Sequence, residues 1–280
     1  ARLTSTQDFA AYQAVVGPIL AKPFNRLAKE LSDENVPVFA PFTNKDVQPG
    51  NNVFITLPSD EACSDAMIEF LLLNSADKNL LLIADKNSTA SKNKITAALP
   101  NTKVVPLSNN SVNMSTVKGL LSPAKPNWVV VESNSIPFLA TVTDGLNGLN
   151  SKETKIVMFT TKKGDAYEMS DDIRNGNLSN LNFHFPTVNK SSVNNGWFYK
   201  NFEKKHGYAP NRYAVRGFDL TMDMLLRLGN KEDMYAIATN IPGTQYIENK
   251  FDYERSALGG YVNKGVYVVK IENMEIKNAN

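Results

Sequence analysis

Short runs of valine, isoleucine and leucine, each followed by a segment with a helical apolar period, recur along this chain from residue 14 to residue 271. Alternation of this kind is the pattern of strand–helix units around a parallel sheet. The apolar runs predict strands over 14–16, 36–39, 53–56, 80–84, 103–106, 128–132, 155–159, 183–185 and 265–271. Most are continuous and not alternating, as expected of strands covered on both faces. Helices are predicted over 23–31, 61–73, 91–99, 114–121, 136–149, 196–206 and 212–228. Ser59-Asp60-Glu61 opens the second of these with an N-cap and early carboxylates. No fixed-period repeat and no low-complexity linker interrupts the series.

At 280 residues the chain is long for one core, so two compact units are expected. Composition alone places a boundary at the polar break over 74–77. A chain of this size folds without a metal or a disulfide. Cys63 is the only cysteine, and within its helical pattern it reads as a small core residue. Lys and Arg number 30 against 28 Asp and Glu, a formal charge of +2, which is no electrostatic footprint for nucleic acid. The basic runs at 162–163 and 204–206 read as solvated helix ends and loops. No apolar run approaches the ~18 residues of a membrane span. Residues 1–5 carry no signal-peptide apolar stretch; if the protein is exported, its signal or anchor is expected upstream of this chain.

Several stretches carry a resemblance. Residues 197–228 read WFYKNFEKKHGYAPNRYAVRGFDLTMDMLLRL, an aromatic amphipathic segment, a Gly-Tyr-Ala-Pro turn and a second helix with Phe218-Asp219. Earlier lie Val15-Val16-Gly17-Pro18, then Asn35-Val36-Pro37-Val38-Phe39-Ala40-Pro41, then Val53-Phe54-Ile55-Thr56-Leu57-Pro58-Ser59-Asp60. In this order they resemble the type I periplasmic binding proteins, the amino-acid-binding components of transport systems. That family writes the early motifs as V-I-G-P, N-V-P-x-I-S-P and F-R-T-x-P-S-D, and the late one as an aromatic helix ending in G-x-x-P before an aromatic-Asp helix. The match runs from Ala14 to about Val269.

The resemblance implies an α/β fold of two doubly wound three-layer (αβα) lobes joined by a multi-strand hinge. Lobe 1 is then expected over 1–75 and 187–250, and lobe 2 over 76–186 and 251–280. The family begins with a strand–helix–strand unit ahead of V-I-G-P. Here 13 residues precede Ala14, so lobe 1 is expected to lack its opening or to have a shortened sheet.

Ligands of open parallel sheets bind beyond the carboxyl ends of the strands, which selects the loops over 17–22, 41–44, 85–87, 133–135 and 160–163. In amino-acid-binding relatives the first two loops hold the ligand carboxylate, and an acidic side chain of lobe 2 holds the ammonium. A zwitterion leaving water needs donors at one end and a paired charge at the other. The resemblance thus implies ligand contacts from Ala21, Lys22, Phe42, Thr43, Asn44, Asp85, Asn87, Ser133 and Thr160. The chain departs from the family where Ile19-Leu20-Ala21-Lys22 replaces hydroxyl residues, and where Asp85-Lys86-Asn87-Ser88-Thr89 keeps the Asp of D-x-x-Y-G without its Tyr and Gly. Lys22 also reads as a solvated first-turn residue, and Asp85 as a helix cap.

The function implied is non-catalytic capture of a small polar, amino-acid-like ligand in the periplasm or cell envelope, without a cofactor. A membrane permease or a cell-wall component is the macromolecular partner implied. A second reading is a degenerate binding-protein fold acting as an envelope interaction or sensory module, attached to a peptidoglycan-binding region outside this chain. An enzyme reading finds no phosphate-cradling loop or nucleophile elbow, and Asp85 with Glu132 is its one carboxylate candidate. Of the two histidines, His184 between Phe183 and Phe185 reads as a core residue, and His206 before Gly207 as a cation at a helix C-terminus. Asp171-Asp172 reads as an acidic helix start, and Arg216, Asp219 and Asp223 as a partly exposed, structural helix face.

Overall fold

The computed structural model describes residues 8–169, 171–190, 196–230 and 233–279; the opening residues 1–5, read above for a leader pattern, lie outside them. The chain forms two compact units. Unit 1 takes Ala1–Ala62 and Val188–Val266, and unit 2 takes Cys63–Thr187 and Tyr267–Asn280. The backbone therefore passes between them three times.

Unit 1 is built on a five-stranded sheet. Val15–Val16, Val38–Ala40 and Val53–Ile55 run parallel, with Val15 opposite Val38 and Val38 opposite Val53. Tyr261–Asn263 joins parallel to Val53–Ile55, and Tyr253–Arg255 closes the far edge antiparallel. Residues 251–266 thus belong to unit 1, which corrects the expectation that 251–280 lies wholly in lobe 2. The physical reason is aromatic packing. The Tyr261 ring stacks on Phe54 with centroids 4.4 Å apart, and Tyr253 meets Phe54 edge-on at 5.5 Å. The hairpin between these strands turns through Gly259 and Gly260 at φ +94° and +74°. A Cβ at Gly260 would run into the carbonyl oxygens of Gly50 and Val53, so only glycine fits.

Side chains alternate across this sheet and both faces are covered. Phe39 and Phe54 pack with Leu220 of helix Arg212–Leu228 and with Met234 and Ile237 of helix Met234–Asn240. Val38, Ala40 and Val53 pack on the other face with Phe24, Leu27 and Ala28 of helix Ala21–Glu30. Asn211 caps Arg212–Leu228 by accepting from the N–H groups of Tyr213 and Ala214. Helix Trp197–His206 stops at Gly207, at φ 78° in the left-handed region.

Unit 2 is built on seven strands in the order Glu275–Asn278, Tyr267–Glu272, His184–Thr187, Ile156–Phe159, Asn127–Glu132, Asn79–Ala84 and Lys103–Val104. The last five run parallel and the first two antiparallel. Every residue of Asn79–Ala84 and Asn127–Glu132 is buried, as continuous apolar runs require. Lys103–Val104 is instead an exposed edge. On one face Leu81, Ile83, Val129 and Val131 meet Leu139, Val142 and Leu146 of helix Ile136–Leu149. On the other, Leu80, Leu82 and Val130 meet Met67 and Leu71 of helix Asp60–Asn74 and Ile95 of helix Thr89–Ala98. Each such side chain contributes about 1.5–3 kcal/mol on burial, so this apolar stripe decides where the helix belongs. That is why the division falls at Ala62/Cys63 and not at the polar break over 74–77. Ser59 starts the helix, its Oγ accepting from the Ala62 N–H at 3.1 Å. Cys63 is half-buried and not a core residue. His184 is in the core: its Nδ1 lies 2.6 Å from the Asn182 carbonyl oxygen and its ring stacks on Phe159 at 4.7 Å.

Candidate functional site

In unit 1, Ala21 and Lys22 open helix Ala21–Glu30, Ala21 half-buried and Lys22 exposed. Phe42, Thr43 and Asn44 follow strand Val38–Ala40. Thr43 Oγ1 accepts from Lys45 N at 3.1 Å and donates to the Lys45 carbonyl at 3.2 Å. Asn44 Nδ2 donates to the Pro58 carbonyl at 2.8 Å. Thr43 therefore ties its own loop, and Asn44 ties that loop to the one after strand Val53–Ile55. Phe42 packs edge-on against Tyr213 at 5.5 Å, beside a cavity of about 270 Å³ lined also by Leu57, Val188, Asn189, Arg212 and Arg216.

Arg216 and its helix neighbours depart most from the sequence reading. Arg216 is 7% exposed, and Asp219 and Asp223 are 0% exposed, so the expectation of a partly exposed face is corrected. Spacing along a helix fixes which side chains share a face, not whether a distant segment covers it; here residues 244–251 do. Asp219 accepts from the backbone N–H groups of Ile247, Glu248 and Asn249 at 3.1, 2.9 and 3.0 Å, and from Asn249 Nδ2 at 2.9 Å. Arg216 Nε donates to the Pro41 carbonyl at 2.6 Å, Nη2 to Thr56 Oγ1 at 3.0 Å and Nη1 to Asn249 Oδ1 at 2.5 Å. Burial pulls the Arg216 guanidinium down to about 10, with Tyr253 and Asp219 opposing; it remains a cation at neutral pH.

In unit 2 the polar residues gather at the carboxyl ends of three adjacent parallel strands. Asp85 Oδ2 accepts from Ser133 Oγ at 2.5 Å, and its Oδ1 accepts from Asn87 N at 3.0 Å and Ser88 Oγ at 2.8 Å. Ser133 Oγ accepts in turn from Ser135 N at 2.9 Å. Asn87 is exposed. Glu132, 4% exposed, accepts from Thr161 N at 2.7 Å, Thr161 Oγ1 at 2.8 Å and Thr160 Oγ1 at 3.3 Å. Burial raises its carboxyl above the usual carboxylate range, and the hydrogen bonds from Thr161 and Thr160 pull the other way. The nearby Tyr167 phenol is pushed up by its own burial and then by the Glu132 charge.

The structure thus joins Asp85 to Ser133 and Glu132 to Thr160, each carboxylate with its own set of hydroxyls. Sequence reasoning included Thr161 only within the 160–163 loop, read Arg216 as part of a structural helix face, and weighed Glu132 only as an acid beside Asp85. One signal was available: Glu132 ends an otherwise apolar buried strand, where a carboxylate must find donors. Among the described residues, no three His, Cys, Asp or Glu side chains come together in a group able to hold a metal.

No protein-family profile and no curated protein matches the sequence. Solved structures do match the fold. A putative branched-chain amino acid ABC transporter protein from Rhodospirillum rubrum aligns over 97% of this chain and 81% of its own, with a TM-score of 0.56 at 12% identity. The fold is that of the type I periplasmic binding proteins. A branched-chain amino acid ABC transporter periplasmic ligand-binding protein from Burkholderia xenovorans aligns over 98% of this chain and 75% of its own, with a TM-score of 0.53 at 13% identity. LpoA from Haemophilus influenzae aligns over 96% of this chain and 48% of its own, with a TM-score of 0.52 at 11% identity. The fold expected from the sequence motifs is therefore the one observed. In a periplasmic-binding-protein fold the loops described above stand beyond the parallel strands, where such sheets place their ligands.

Proposed function

We propose that this chain is a non-catalytic binding protein of the periplasm or cell envelope that captures a small polar, amino-acid-like solute. The observation that carries this reading is the fold itself, together with two polar groups at strand carboxyl ends. One is the 41–44 loop with Arg216 in unit 1, and the other is Asp85, Glu132, Ser133 and Thr160 in unit 2. The transport systems named for the Rhodospirillum and Burkholderia proteins support a solute-receptor role, with a membrane permease as the downstream partner.

A second reading is an envelope interaction or sensory module whose loops no longer take a solute. It is favoured by the internal bonding of Thr43, Asn44, Asp85, Ser133 and Thr160, and by the likeness to LpoA, of which this chain covers 48%. A peptidoglycan-binding region or another cell-wall contact outside this chain is then the partner.

A thermal-shift screen against amino acids, short peptides, sugars and cell-wall fragments separates the two. A solute at a hundred times its dissociation constant stabilises the folded state by about 2.7 kcal/mol, which moves the unfolding midpoint by several degrees. A reproducible shift confined to one chemical class supports the receptor; silence across every class leaves only the interaction module.

A further inference from the structure

Arg216 brings into unit 1 a positive charge that its own hydrogen-bond partners do not neutralise. Arg216 is 7% exposed, and its acceptors are a main-chain carbonyl, a hydroxyl and an amide oxygen. These use three of its five N–H donors and leave one on each Nη. Asp219 is linked to it through Asn249, whose Oδ1 accepts from Arg216 and whose Nδ2 donates to Asp219, and its charge also favours the guanidinium through space. The Asp219 carboxylate is itself engaged by the backbone N–H groups of residues 247–249. A buried cation whose hydrogen-bond acceptors are all neutral is costly, and the part of that cost that Asp219 does not offset falls when an anion from solution meets it.

The cavity that Arg216 lines suits such an anion. It holds about 270 Å³, and Phe42, Leu57, Val188 and Tyr213 give it apolar walls. Tyr213 is held between the Phe42 ring at 5.5 Å and the Arg212 guanidinium at 5.0 Å. The volume lies just below the usual range for small-molecule sites, which fits a body of a few carbons and not a polyanionic chain. The flat guanidinium fork matches the two oxygens of a carboxylate.

We propose that this cavity binds a small organic monoanion, a carboxylate on an apolar body, with the carboxylate on the remaining N–H donors of Arg216 and the body against Phe42, Leu57 and Tyr213. The inference rests on the binding-protein reading and deepens it, naming the charge class of the solute and the side chain that reads it. A competing account gives Arg216 only the task of fastening Pro41, Thr56 and Asn249.

The test uses the full chain, thermal unfolding and titration calorimetry. The probes are isovalerate and benzoate, with isovaleramide and benzamide as uncharged copies of the same shape. The carboxylates are expected to raise the unfolding midpoint and give saturable heats, and the amides neither. Arg216→Gln is expected to lose affinity by about tenfold or more, the worth of a hydrogen bond to a charged group. Because that variant also loses three internal bonds, Val188→Trp provides a second arm. It fills the cavity from the wall without touching those bonds, and is expected to abolish binding in a chain that unfolds normally. Amides binding as well as carboxylates, undiminished binding by Val188→Trp, or silence from both carboxylates overturns the proposal. Should an uncharged or cationic solute bind while the carboxylates are silent, this inference fails and the binding-protein reading stands. Silence from every solute class removes both.

Discussion

Replacing Asp219 by alanine removes one acceptor from four hydrogen bonds: three from the backbone N–H groups of residues 247–249 and one from Asn249 Nδ2. Asp219 is 0% exposed and Asn249 1%, so water does not readily take its place. A hydrogen bond to an ionised group contributes about 1.5–3 kcal/mol net. The four share one carboxylate and do not add, so the expected loss corresponds to about two independent bonds, ~4 kcal/mol. That is a large fraction of the 5–15 kcal/mol typical of a folded domain, and amounts to a fall of roughly 10 °C in the unfolding midpoint. Urea unfolding followed by circular dichroism measures it. Asp219→Asn keeps one oxygen among these donors and is expected to lose about half as much. An Asp219→Ala protein within about 1 kcal/mol of wild type would refute the claim that this carboxylate builds the 247–249 segment and, through Asn249, positions Arg216.

The Asp223–Arg227 ion pair, 2.9 Å long with side chains 0% and 2% exposed, gives an asymmetric prediction. Arg227→Met alone is expected to cost about 3–5 kcal/mol by stranding a buried carboxylate, and the double variant Asp223→Leu/Arg227→Met to recover much of it; equal costs in single and double variants contradict this. The His184 imidazole is held down to about 4, chiefly by burial, against an ordinary 6.5. The unfolded chain takes up a proton that the folded chain resists, so this contribution is complete above pH 6.5 and is lost as pH falls towards 4. Wild type is expected to lose up to about 3 kcal/mol more than His184→Phe across that window; parallel curves count against it. Gly260→Ala, at φ +74° and against two carbonyl oxygens, is expected to destabilise unit 1 by about 1–3 kcal/mol in thermal unfolding, and a neutral outcome contradicts the account of the hairpin.

Much of the fold was legible because the buried parallel strands announce themselves. Leu80–Ala84 and Trp128–Glu132 are continuous apolar runs, and both are buried along their length. The strands at 253–255 and 261–263 were not legible, because Tyr-Glu-Arg and Tyr-Val-Asn are half polar, and the parallel partner of 261–263, Val53–Ile55, lies some two hundred residues away in sequence. The same long range hid the chemistry of helix Arg212–Leu228. Helical spacing placed Arg216, Asp219 and Asp223 on one side, which is correct. Only the loop that folds over them, anchored by Asp219 on three consecutive backbone N–H groups, makes that side interior. At the unit 2 strand ends, sequence position found Asp85, Ser133 and Thr160. It did not reveal that Asp85 and Ser133 bond each other, since pairing across neighbouring strands depends on register. Glu132 shows the limit from the other direction: one carboxylate closing an apolar strand signals hidden donors, and those donors, Thr160 and Thr161, sit 28 and 29 residues on.

The most direct measurement takes whichever solute gives the largest thermal shift, titrates it into the full chain by calorimetry, and recovers the solute for mass spectrometry. The account predicts saturable binding of one solute per chain and return of that solute chemically unchanged. A solute recovered in altered form, or no saturable heat from any class tried, would contradict it.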